Sequence, residues 1–185
     1  MSRQYFNETV SWAVASGTAV ASSAAEVIIF PNVSIPGGFM ADGRCLRLRA
    51  IGQYSNTATP TLIFGVRWGG VGGTLLCKTA ACTTPSGVTA AMWDLDVMIQ
   101  TRTNGATGTV MANGVARVHS AVAGTVGSAT GEGLVTPMTA GGVITPAAVT
   151  LDLTATAALA LTVTWSASDA ANTLTGLNYT VEAIN

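Results

Sequence analysis

The 185-residue chain carries 9% Asp, Glu, Lys and Arg, against about 25% in ordinary globular domains. Its net charge of −1, with eight scattered basic residues, offers no footprint for a phosphate backbone, so no nucleic-acid partner is expected. Mean hydropathy is +0.47, yet the excess comes from Ala and Val mixed with Thr, Ser and Gly. No run reaches the ~18 apolar residues of a membrane span, and no membrane partner is expected.

The first residues, Met1-Ser2-Arg3-Gln4-Tyr5-Phe6-Asn7-Glu8, lack the apolar segment and cleavage site of a secretory signal, which predicts synthesis in the cytoplasm. Residues 1–24 are polar, with Tyr5, Phe6 and Trp12 as their large anchors, and read as an N-terminal arm. A single domain over 25–185 follows. Its first strand is Ala25–Phe30, ended by Pro31, and Pro36-Gly37-Gly38 makes a turn. Cys45–Gln53 puts Leu46, Leu48 and Ala50 on one face, with Cys45, Arg47 and Arg49 on the other. Pro60–Trp68 alternates equally well, with Leu62, Phe64, Val66 and Trp68 opposite Thr61, Ile63, Gly65 and Arg67.

The run Gly69–Gly73 supplies the positive φ values of a hairpin, and Thr74–Thr79 is the return strand. After a loop at Ala80–Ala90, Ala91–Thr103 turns Trp93, Leu95, Val97 and Ile99 inward and Asp94, Asp96, Gln100 and Arg102 outward. Asn104-Gly105 signals another hairpin into Thr107–Ser120, where Asn113-Gly114 predicts a bulge or bend. Ala121–Pro146 reads as a long loop or two weak strands, a candidate for contacting a neighbour. Val149–Thr154, Leu159–Ala167 and Leu174–Ile184 close the chain. The expectation is an all-β antiparallel sandwich of eight to nine strands, a jelly roll by best fit.

Catalytic candidates are few. His119 is the one histidine, no nucleophile elbow surrounds a serine, and Gly69–Gly73 lacks the Lys-Ser/Thr of a phosphate loop. Cys45, Cys77 and Cys82 are odd in number and without metal spacing, so free buried thiols are expected. No cofactor and no enzymatic activity are expected. Asp94 and Asp96 lie roughly 7 Å apart along a strand, which admits a glycoside hydrolase on paper. The more economical reading joins them to Arg47, Arg49, Arg67, Arg102 and Arg117 in cross-strand ion pairs, on a solvated or intersubunit face. Trp68, Trp93 and Trp165 fall on the apolar side and are assigned to the core. Trp12, in a polar segment, is a candidate anchor on a neighbouring subunit. The interface candidates are therefore Trp12, Arg47, Arg49, Arg67, Asp94 and Asp96. The C-terminal strands carry Thr and Ala outside, and are expected to supply subunit contact while the arginine-bearing strands meet solvent or a charged seam.

Several segments resemble tailed-bacteriophage virion proteins. These are Leu46-Arg47-Leu48-Arg49-Ala50-Ile51-Gly52, Thr59-Pro60-Thr61-Leu62, Val66-Arg67-Trp68-Gly69-Gly70 and Gly73-Thr74-Leu75-Leu76. Trp93-Asp94-Leu95, Asn104-Gly105-Ala106-Thr107-Gly108 and Leu161–Ala167 followed by Asn172-Thr173-Leu174-Thr175 are similar to the same group. The resemblance spans residues 45–180 and implies a trimer-prone sandwich in the virion, such as a capsid decoration or cement protein bound to the major capsid protein or other virion proteins. It transfers no functional residue. The alternative from another class is a tail- or head-fibre domain that binds host-surface glycan through its loops, with Tyr54 and Phe39 as the aromatic candidates.

Overall fold

The computed structural model describes residues 7–119, 134–140 and 145–184. The strands are β1 (Asn7–Ala13), β2 (Val20–Ala21), β3 (Val27–Ile28), β4 (Val33–Ile35), β5 (Cys45–Ser55), β6 (Thr61–Trp68) and β7 (Thr74–Lys78). Then come β8 (Cys82–Thr83), β9 (Ala91–Thr103), β10 (Gly108–Val118), β11 (Leu134–Met138), β12 (Ala148–Leu151), β13 (Ala157–Trp165) and β14 (Thr173–Ile184). No helix of the described residues is long and apolar enough to cross a membrane.

An eight-stranded sheet runs β1-β14-β5-β9-β10-β11, with β12 on β10 and β2 on β14. A six-stranded sheet runs β3-β13-β6-β7, with β4 on β13 and β8 on β6. All ladders are antiparallel. Starting from the turn at Gly69–Gly73, where Gly69 and Gly70 take φ of 96° and 81°, the pairings nest outward: β6·β7, β5·β9, β3/β4·β13 and β1·β14. Successive pairs fall in opposite sheets. That rolled double ribbon is jelly-roll wiring, with β10 to β12 added beyond β9. The strand count exceeds the expected eight to nine because β1, β11 and the short pieces β2, β4 and β8 hydrogen-bond to longer neighbours.

The core lies between the sheets. Leu46, Leu48, Leu62, Phe64, Val66, Trp93, Leu95, Val97, Ile99 and Trp165 are buried there as their alternation predicts. Phe64 packs on Trp93 with ring centroids 5.1 Å apart, and Phe30 on Tyr179 at 4.7 Å. All three cysteines are free and buried. Cys45 departs from its arginine neighbours in this, and burial raises its thiol pKa.

Three expectations change, and the choice left open for 121–146 is narrowed. Within the expected arm, Asn7–Ala13 is a strand on the edge of the larger sheet, paired with β14. Asn113-Gly114 is not a bulge: Asn113 and Gly114 pair in register with Met98 and Val97, and the irregularity falls at Thr109/Val110. Glycine is needed at 114 for close approach, since a Cβ would lie 2.3 Å from the Asp96 carbonyl oxygen. In the 121–146 stretch, Leu134–Met138 is a strand on β10, whereas 120–133 and 141–144 lie outside the described residues. The C-terminal strands do not share a sheet. β13 is central in the smaller and β14 in the larger, because the nested pairing sends consecutive strands to opposite layers.

Candidate functional site

The register of the larger sheet decides which outward side chains are neighbours. One row across the strands reads Trp12, Thr180, Arg49, Asp96, Val115. The next reads Asn178, Ile51, Asp94, Arg117, Val135, and a third reads Glu182, Arg47, Met98, Asn113. Five of the six interface candidates, Trp12, Arg47, Arg49, Asp94 and Asp96, therefore stand on one face. β1 is what brings Trp12 there.

Asp96 is the hub of this face. Arg47 reaches it with both arms of its guanidinium, Nε donating to Oδ1 at 2.9 Å, and Arg49 Nε stands 3.7 Å from Oδ2. The hydrogen bond from Arg47 holds the Asp96 carboxyl below its usual range and raises the arginine in turn. Asp94 pairs with Arg117, while His119 Nε2 sits 3.6 Å from its other oxygen. Between these pairs and β14 lies a depression of about 250 Å³ walled by Arg49, Ile51, Asp94, Arg117, Asn178 and Thr180. Asn178 and Thr180 were not among the candidates. An irregularity between Gly176 and Asn178 switches β14 by one residue, and so turns Asn178, Thr180 and Glu182 outward while Tyr179, Val181 and Ala183 become buried.

Arg67 stands apart. It lies in β6 of the other sheet, where its guanidinium donates from Nε and Nη2 to Glu26 at 2.7 Å each and from Nη1 to the Gly73 carbonyl at 2.8 Å. Thr162 donates to the same carboxylate at 2.6 Å. Arg67 leads the interactions that lower the Glu26 pKa, against a smaller opposing effect of burial. The expected single ladder of Arg47, Arg49, Arg67, Arg102 and Arg117 is thus corrected: Arg47, Arg49 and Arg117 serve the two aspartates on the larger sheet, while Arg67 pairs with Glu26 on the smaller. Alternation assigns a residue to a face, and both sheets have an outer face.

The aromatic candidates are corrected as well. Tyr54 is in β5, buried, and its hydroxyl donates to the His119 carbonyl at 2.7 Å; burial pushes its pKa up to about 12. Phe39 is half-buried beneath the Arg44 guanidinium, 4.5 Å from the ring centre. Trp12, at 62% exposure, is the one exposed aromatic among the described residues. As for hydrolysis, a glycosidase acid needs a raised pKa, and Asp96 is shifted the other way. Among the described residues no group of three His, Cys, Asp or Glu could hold a metal ion.

No family model and no curated protein matches the chain. Among solved structures it is similar to the CBM2 module of the evolved Dit of Lactobacillus casei BL23 phage J-1, with a TM-score of 0.33 and 11% identity over 83% of this chain and 68% of that one. A TM-score of this size transfers neither a fold name nor a ligand.

Proposed function

We propose that the protein is a non-enzymatic structural subunit of a bacteriophage virion, a capsid decoration or cement protein that forms homotrimers and binds the major capsid protein or another virion protein. The observation that carries this reading is the outer face of the smaller sheet. Ser34, Ala158 and Thr164 are small, and with Ile28 and Ile63 they make it neutral. Its charges, Glu26, Arg67 and Lys78, gather around one carboxylate. Covering such a face strips water from few charges, and the ion pair it contains is already formed. The test compares wild-type particles with particles lacking the gene, re-supplied with wild-type protein or with Ile28→Glu. Rebinding and restored heat resistance are expected for wild type alone. Equal particle stability with and without the gene refutes the proposal.

A second reading, recognition of host-surface glycan by a tail- or head-fibre domain, is favoured by the position of Trp12 on the polar face of the larger sheet.

A further inference from the structure

We propose that the outer face of the larger sheet binds a neutral oligosaccharide, laid across the strands from Trp12 to Asp94. This rests on the glycan reading and goes further by naming the face, the direction and the charge of the ligand.

Trp12 offers a flat apolar surface at one end, fixed in place by the pairing of β1 with β14. A pyranose ring presents C–H groups that stack on such a surface. Beside it lies the depression walled by Arg49, Asp94, Arg117, Asn178 and Thr180. Its charged groups alternate between donor-only guanidinium and acceptor-only carboxylate, and they are already paired with one another. An apolar protein anchor seated here would strip water from these charges and return no hydrogen bonds. A sugar hydroxyl donates and accepts at once, so neighbouring hydroxyls bridge Arg to Asp and extend the network with the pairs intact. The Asn178 amide and Thr180 hydroxyl make no side-chain hydrogen bond within the described residues and remain open to a ligand. Arg47, Arg49 and Arg117 balance Asp94, Asp96 and Glu182 on this face, which disfavours uronate, sulfate or phosphate substituents. From β1 to β9 the face crosses three strand spacings, about 14 Å, the reach of a short oligosaccharide rather than one ring.

The experiment titrates the full chain with neutral hexasaccharides of glucose, galactose, mannose, rhamnose and N-acetylglucosamine, and with oligogalacturonate as the anionic probe, by calorimetry and amide NMR. At least one neutral oligosaccharide is expected to bind, with shifts on β14, β5 and β9 and altered Trp12 fluorescence. Trp12→Ala and Asn178→Ala are expected to weaken it about tenfold or more at unchanged melting temperature, and Trp12→Phe to retain part of the affinity. Binding of oligogalacturonate alone overturns the neutral-ligand proposal and leaves the glycan reading standing. No binding of any saccharide at about 10 mM overturns both. Binding indifferent to Trp12→Ala, or protection of this face by virions and by no saccharide, overturns the site.

Discussion

Gly52 sits in β5 opposite Gly176 on β14 and Trp93 on β9. A methyl at this position would lie 2.1 Å from the Thr175 carbonyl oxygen and 2.5 Å from Cε2 and Cζ2 of the Trp93 indole. Overfilling a packed site costs about 1–3 kcal/mol, and here neither a ladder carbonyl nor a fully buried indole can swing aside, so the upper end applies. The smaller conformational entropy of alanine in the unfolded chain returns about 0.4–1 kcal/mol. Gly52→Ala should therefore destabilise by about 2–3 kcal/mol. At about 2–4 °C per kcal/mol for a domain of this size, the melting temperature falls by about 4–12 °C. Calorimetry reads the shift, and near-UV circular dichroism reads the displaced indole. Trp93→Leu removes one of the two obstacles, so the double variant should lose about 1 kcal/mol less than the sum of the singles. A melting temperature within about 1 °C of wild type, or strict additivity in the cycle, refutes this account of the packing.

Glu26→Gln should cost about 1–2 kcal/mol at neutral pH. Because Arg67 lowers the folded pKa of Glu26, that stabilisation is present above the ordinary glutamate range and fades as pH falls through the lowered value, so urea midpoints of wild type and variant should converge on acidification. Burial pushes the Cys77 thiol up to about 12, and the native protein should react with a thiol reagent at pH 8 far more slowly than the unfolded chain, followed by absorbance. Iodide should quench one accessible tryptophan class, and Trp12→Ala should abolish that class while changing stability by less than about 0.5 kcal/mol, because Trp68, Trp93 and Trp165 are buried.

Much of the sandwich is legible in the period-2 runs. Leu62, Phe64 and Val66 on β6, and Trp93, Leu95, Val97 and Ile99 on β9, are large enough that only one face could be the core. Sheet membership is a different matter. Arg47 and Arg67 alternate in the same way, and only the nesting of distant strands separates them into opposite layers. Asn7–Ala13 reads as an arm because an edge strand needs one neighbour and leaves most of its side chains wet. Asn113-Gly114 carries a turn signal, yet its glycine serves the close approach of β9. In β14 the apolar phase shifts from Leu174 to Tyr179, Val181 and Ala183, which is the written trace of the irregularity at Gly176/Asn178. Followed through, that shift would have turned Asn178 and Thr180 outward beside Asp94.

The nested ladders also set an order of events in time. Trp68–Thr74 can close as a local hairpin, whereas Tyr54–Ala91, then Val33–Leu159, then Asn7–Ile184 close ever larger loops. Folding that zips outward from Gly69–Gly73 reaches β1 last, and β1 is an edge strand whose ladder is with β14 alone. The row that begins at Trp12 is therefore the last to be completed and the first to fray, so occupancy of that edge would slow the opening of the whole roll.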